Sequence, residues 1–271
     1  MKHLVGLFIF WIALSAMAAT LVNPQNDPDV APHIKRGFFE LPAGSQLPMS
    51  GMTLEFAQEI RNDFLTFAKK SFPKNDRELL IDLQWDNPFY SANARYKPEG
   101  LVIAVWGGFL RAPGLTPAIL AYTFCHELGH LVGGEPKQTN ERGENVSTEG
   151  VSDLFAALRC TDRFLQEYPA YQPSTSKDVA QACEGHKSCE LSLQAGFESF
   201  RFLQKWGYES YEPVVLNFVS PEATEFIPNT YPSNQCRMET VLQGAVCLKN
   251  GKISDCTPPP CWWPRGLKYP Q

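Results

Sequence analysis

The stretch Phe124-Cys125-His126-Glu127-Leu128-Gly129-His130-Leu131-Val132 places two of the chain's five histidines four residues apart, with a glutamate directly after the first. On a helix, positions i and i+4 lie on one face. His126 and His130 can therefore offer two imidazole nitrogens to one cation, while Glu127 is turned to the side. A hydrolytic zinc site takes three protein ligands and keeps a further position for water, so a third ligand must come from elsewhere. Ser147-Thr148-Glu149-Gly150-Val151-Ser152-Asp153 supplies two candidates, Glu149 and Asp153, again four apart at the start of an expected helix. One carboxylate can bind metal while the other accepts the N–H of a ligating histidine and fixes its tautomer. The competing explanation is an ordinary surface helix with an acidic pair favoured by the helix dipole. That explanation accounts for the carboxylates. It does not account for polar groups at metal spacing in an otherwise apolar helix, where burying them uncompensated costs several kcal/mol.

The elements that must position these groups follow from local signals. Thr116 is an N-cap with Pro117 in the first turn, Ala118 to Val132 continue the helix, and Gly133-Gly134 stop it. Thr148 to Glu167 reads as a second helix carrying both carboxylates. Thr53 to Lys70 has Leu54, Ile60, Phe64, Phe67 and Ala68 near helical spacing. Leu79 to Trp85 alternates like a strand, and Ser91–Tyr96 with Leu101–Trp106 flank Lys97-Pro98-Glu99-Gly100 as a hairpin. More helix is expected through Cys189 to Trp206, and the last sixty or so residues, rich in Pro, Asn and Cys, read mostly as loop. Helix, hairpin, helix, helix gives an α+β class.

HExxH followed, nineteen residues after His130, by E-x-x-x-D resembles the gluzincin metallopeptidases, the thermolysin-like and related zincin families. The resemblance covers roughly residues 80 to 160. It implies a zincin-like fold with one catalytic Zn2+, His126, His130 and Glu149 as ligands, Glu127 as general base, and Asp153 as partner of a ligating histidine. It also implies that the strand Leu101–Trp106, with Val102, Ala104 and Trp106, is an edge strand over the active-site helix where an extended peptide docks by strand addition. The metzincin pattern HExxHxxGxxH fails, because its last position is Pro136, which has no metal-binding side chain. A ligand set using Asp153 in place of Glu149 is the weaker variant.

If the site is real, the zinc-activated water is deprotonated by Glu127, which then protonates the leaving amine. The oxyanion needs a further donor. Candidates are His186, between Cys183 and Cys189, and Tyr231, in Tyr231-Pro232-Ser233-Asn234-Gln235-Cys236-Arg237, beside an arginine, Arg237, that could also help. Tyr122, one turn before His126, reads as packing. His33 receives no role, and Asn145-Val146-Ser147 matches a glycosylation sequon of the kind that arises by chance.

The first eighteen residues, with Lys2, an apolar run to Leu14 and Ala16-Met17-Ala18, read as a cleavable secretory signal. The apolar run is short for a bilayer span, so no stable membrane span is expected after cleavage. The expected organisation is a signal at 1–18, an N-terminal extension at 19–50, a catalytic core at 51–170, and a helical, Cys- and Pro-rich part at 171–271 packed on it. Export to a periplasmic or extracellular space agrees with an even count of eight cysteines, Cys125, Cys160, Cys183, Cys189, Cys236, Cys247, Cys256 and Cys261. Eight cysteines allow 105 pairings. Cys183 with Cys189 is the expected small loop, the last four are expected to bridge among themselves, and Cys125 is left for Cys160. None shows Cys-x-x-Cys metal spacing. With a net charge of −5, nothing suggests a nucleic-acid partner, which would want a basic face.

The expected activity is hydrolysis of a peptide or protein substrate by an exported zinc metalloendopeptidase. The alternatives are a zincin-fold binding or structural module that no longer cuts, and a zinc hydrolase acting on another bond. An intact Glu127 favours the enzyme, since a binding module has no use for the base.

Overall fold

The structure is a computed structural model that describes residues 51–73, 77–98, 100–140, 142–206, 214–216, 223–225 and 232–267. The expected leader and extension, His33 and Tyr231 lie outside the described residues. The chain is mixed α and β, with small sheets and four disulfides.

Helix α1 (Leu54–Ser71) starts at Thr53, whose side chain accepts from the amide of Phe56, and buries Ala57, Ile60, Phe64, Phe67 and Ala68. That spacing is the apolar stripe of an amphipathic helix. Phe64 meets Phe124 and Phe164 with ring centroids 5.2 and 5.3 Å apart, and Phe67 meets Phe164 at 5.5 Å. Strand β1 (Leu79–Gln84) runs parallel to β3 (Gly100–Trp106), and β2 (Ala92–Lys97) pairs with β3 antiparallel, in the order β1-β3-β2. The hairpin is where the sequence placed it. The edge-strand expectation is corrected: β3, with Val102, Ala104 and Trp106, is central and hydrogen-bonded on both sides, so it has no free side for a peptide. Leu101 to Val105 are all buried, which explains the unbroken apolar run. Strand β2 is the one that packs most closely on the metal-motif helix, and its far side faces away from β3.

After the short helix α2 (Gly107–Arg111), α3 (Pro117–Val132) carries the motif. Thr116 caps it by accepting from the amide of Ile119, with Pro117 in the first turn. A small hairpin, β4 (Lys137–Thr139) and β5 (Asn145–Ser147), was not expected from sequence; strands of three residues are too short to show a period. The predicted helix from Thr148 to Glu167 is three segments: α4 (Glu149–Phe155), a π-helical turn (Ala156–Cys160) and α5 (Thr161–Glu167). Cys160 in the π turn is bonded to Cys125 of α3. Helix α6 (Lys177–Cys183) precedes α7 (Lys187–Lys205), which extends the expected helix at Cys189–Trp206.

The mostly-loop reading of the C-terminal end is corrected by α8 (Asn234–Lys249), a sixteen-residue helix capped by Ser233. It is covered on most of its circumference: Cys236, Arg237, Met238, Glu239, Thr240, Val241, Gly244, Ala245 and Cys247 are all buried. Buried polar side chains interleave with apolar ones, so no apolar stripe marks it in sequence. It packs on α7, α4 and the π turn, with Gly196 facing Val241 and Gly244 facing Ala157 where a larger residue would collide.

The remaining disulfides are Cys183–Cys189, Cys236–Cys261 and Cys247–Cys256. All agree with the expected grouping, and the pairing within the last four is settled. Trp262 and Trp263 are buried, and the Trp262 ring lies over Gly150. Among the described residues no helix is long and apolar enough to cross a membrane. Four disulfides are compatible with an exported protein.

Cys125–Cys160 closes a 35-residue separation and joins the motif helix to the carboxylate segment. Replacing both cysteines by alanine should lower unfolding free energy by about 3–4 kcal/mol, read from denaturant titration of the oxidised protein. An unchanged midpoint would mean that packing alone holds the two segments.

Candidate metal centre

The site forms where α3 crosses α4. Gly129, one residue before His130, lies against Ser152, and a Cβ there would stand 2.8 Å from the Cα of Ser152. Lacking that atom, α3 approaches closely enough for side chains on facing turns to meet. His126, His130 and Glu149 are all buried, and one ligand atom from each lies within 4.8 Å of the others. The two Nε2 atoms are 3.1 Å apart, and the Glu149 carboxylate stands 3.3 Å from His126 Nε2 and 3.4 Å from His130 Nε2.

The outer nitrogens settle what this arrangement can hold. His130 Nδ1 is 2.7 Å from the carbonyl oxygen of Ser147, an acceptor only, so Nδ1 carries the hydrogen. His126 Nδ1 faces Asp153 Oδ1 at 2.8 Å. Each outer nitrogen is thus committed, which leaves both Nε2 atoms facing one point beside a carboxylate, an arrangement suited to a cation. Ligands on a tetrahedral ion at about 2.0–2.1 Å are separated by about 3.3–3.4 Å, which matches the observed triangle. Glu149 Oε2 is buried without a well-formed hydrogen bond, an acceptor with capacity to spare. The donor set fits a metal ion.

Three buried carboxylates, Glu127, Glu149 and Asp153, face one guanidinium, that of Arg237. The sequence offered Arg237 only as a helper beside Tyr231; its partners Asp153 and Glu149 were missed. It arrives from the first turn of α8 and grips Asp153 at both ends, Nε to Oδ2 at 2.7 Å and Nη2 to Oδ1 at 3.0 Å. Its Nη2 also lies 3.2 Å from Glu149 Oε2, and its guanidinium covers the Phe200 ring at 5.1 Å. Tyr122, expected to be packing, donates to Asp153 Oδ1 at 3.1 Å as well.

Titration follows from these contacts. Burial opposes ionisation of Asp153, but Arg237 and His126 outweigh it and hold the carboxyl below its usual range. Burial likewise opposes charge on Glu149, and His130 and Arg237 overcome it, again holding the carboxyl low. For His126, burial disfavours the cation, yet Asp153 and Glu149 prevail and raise it to about 10. Glu127 differs: burial dominates over the nearby histidines and pushes its carboxyl up. Among the described residues Glu127 makes no hydrogen bond or ion pair. It lines a cavity of about 350 Å³ with His126, Arg237, Phe109, Ile119 and Phe202. A raised, uncommitted carboxylate facing a cavity is suited to moving a proton.

The C-terminal tail braces the carboxylate side. Gly150 has no side chain, so the Trp262 indole lies on the first turn of α4, next to Glu149. Its Nε1 donates to Thr240 Oγ1 at 2.8 Å, and Cys236–Cys261 ties the tail to the residue beside Arg237.

His186 is not brought to this site. It is an exposed N-cap of α7, its Nδ1 accepting from the amide of Cys189 at 3.4 Å. The part of α7 that reaches the cavity begins at Ser199, about 20 Å further along the helix axis. Asn145 is exposed on β5. The chain matches no family model, no curated protein and no solved structure.

Two outcomes test this geometry. Gly129→Ala should weaken metal binding at least about tenfold by pushing α3 off Ser152, read by competition with a chelating dye. Undiminished affinity would mean that the crossing does not set the ligand spacing. Arg237→Ala should cost about 3–5 kcal/mol of stability, because it takes the guanidinium away from the buried Asp153 and Glu149 carboxylates, read by calorimetric or denaturant unfolding of the metal-free protein.

Proposed function

We propose that this chain is an exported zinc-dependent peptidase of gluzincin type, with a zincin-like core. The observation that carries the proposal is the convergence of two Nε2 atoms and the Glu149 carboxylate beside an uncommitted Glu127 that lines a cavity. Two nitrogen donors and one carboxylate suit zinc among the common ions, and three protein ligands leave a position for water. Zinc, when bound, supplies Lewis acidity and lowers the pKa of a bound water toward neutrality.

The chain's own residues supply the rest. Glu127 accepts the proton of the attacking water and passes it to the leaving amine. Asp153, held by Arg237 and Tyr122, fixes the His126 tautomer so that Nε2 faces inward. The Ser147 carbonyl does the same for His130. Arg237, on the cavity wall and held by Asp153 and Glu149, is the fixed positive charge nearest to developing oxyanion charge, in place of the Tyr231 or His186 that the sequence reading put first. The substrate strand is β2 rather than β3, since Ser91 and Ala92 line the cavity and β2 has a side not paired with β3. An extended peptide can hydrogen-bond along that side.

The test is a digest of a mixed peptide library by the zinc-loaded protein and its Glu127→Gln variant. Cleavage by the wild type is expected to fall on the order of a thousandfold or more in the variant with zinc stoichiometry retained. Cleavage that survives the substitution would remove Glu127 from the chemistry. Silence from both would favour a binding module or a hydrolase of another bond. Glu149→Ala should sharply weaken zinc binding, and full retention would place the third ligand elsewhere.

A further inference from the structure

The side of β2 that faces away from β3 is short, and one end of it is closed. The Ser91 carbonyl accepts from the amide of Trp106 in β3, whereas the amide of Tyr96 donates to Glu144 Oε1 at 2.9 Å. Backbone direction alternates along a strand. Ala92, Ala94 and Tyr96 therefore turn their N–H and C=O groups away from β3; the Tyr96 amide is taken by Glu144, and the Ala92 carbonyl accepts from the Ser91 hydroxyl at 3.2 Å but retains a second acceptor site, so the open stretch is Ala92 to Ala94. The cavity lies at the Ala92 end, shared with Glu127. At the other end the Tyr96 hydroxyl donates to the carbonyl of Leu131, just beyond His130. The cavity with Glu127 is therefore at the open end of β2, and Tyr96 marks the closed one.

The closing group is charged and fixed. Glu144 Oε2 accepts from Asn140 Nδ2 at 2.7 Å, and Asn140 Oδ1 accepts from the amides of Arg142 and Glu144. Two neutral donors thus orient the carboxylate while leaving it acceptor capacity. Among the described residues no cation is paired with it. A peptide added antiparallel to β2, the more stable pairing, runs its amino terminus toward Tyr96 and so toward this carboxylate. An α-ammonium is favoured there, and a carboxyl terminus or an acidic residue is disfavoured. Ala92 to Tyr96 spans four residue steps, about 14 Å at strand rise.

Resting on the peptidase reading above, we propose that Glu144 recognises the free amino terminus of the substrate and limits the chain preceding the cleaved bond to about four residues. The protein would then remove short amino-terminal fragments rather than cut within long chains, a narrower substrate class than an endopeptidase takes.

The experiment uses the zinc-loaded protein and peptides that share one carboxyl-terminal half, with from one to about eight residues before the cleaved bond. Each peptide is made with a free and with an acetylated amino terminus. The expected result is a fall in kcat/KM of about tenfold or more beyond about four preceding residues, with a similar loss on acetylating the short members, mainly in KM. Glu144→Gln retains an acceptor for the Tyr96 amide, and in this variant the advantage of a free amine should fall toward one. Equal cleavage of long, acetylated and short free peptides by the wild type would overturn the inference and leave the peptidase reading intact. So would a free-amine advantage that survives Glu144→Gln in a variant with unchanged melting temperature. Cleavage of no peptide by the zinc-loaded protein would remove the peptidase reading and this inference with it.

Discussion

The contact between Gly129 and Ser152 is the constraint on which the site depends. Imidazole and carboxylate side chains are short, so three of them meet at a point only if the helices that carry them nearly touch. At this crossing a single methyl group would stand 2.8 Å from opposing backbone. The close approach also buries what it brings together. His126, Glu127, His130, Glu149 and Asp153 are all removed from water, which makes every unpaired charge among them expensive. The rest of the arrangement can be understood as compensation for that burial.

Compensation comes from distant parts of the chain. Ser147, at the end of β5, gives its carbonyl to His130. Tyr122, one turn before His126 on α3, reaches Asp153. Arg237 comes from α8, 84 residues beyond the aspartate it neutralises. Helix α8 is in turn held by Cys236–Cys261 and by Trp262, whose indole rests on Gly150 beside Glu149. The C-terminal part is therefore integral to the site as well as packed on the core. Its disulfide Cys236–Cys261 lies next to the charge it helps to position, Arg237.

The sheet contributes through its order. With β3 in the centre, the antiparallel strand β2 becomes the surface beside α3. The hairpin β4–β5 brings Ser147 to His130 of the candidate metal site, and its loop, through Asn140 and Glu144, reaches the far end of β2. One small loop thus bears on the ligands and on the length of open strand beside them.

Periodic and local signals in the sequence determined α1, α3, the hairpin β2–β3, the start of the carboxylate helix at Thr148, and the grouping of the cysteines. Each depends on neighbours within a few residues: caps at Thr53 and Thr116, alternation in a strand, four-residue spacing of His126 with His130 and of Glu149 with Asp153. The fit of His126, His130 and Glu149 to one cation was legible for the same reason. Tertiary structure alone decided which strand is central, because pairing order is set by long-range contacts that leave no period in the sequence. It decided that α8 is a helix, since a helix buried on most sides and carrying Arg237, Glu239 and Thr240 inward lacks an amphipathic stripe. It also decided that Arg237, rather than His186, stands at the cavity. A charge finds its counter-charge across space, and nothing in the residues around Arg237 records that Asp153 lies opposite.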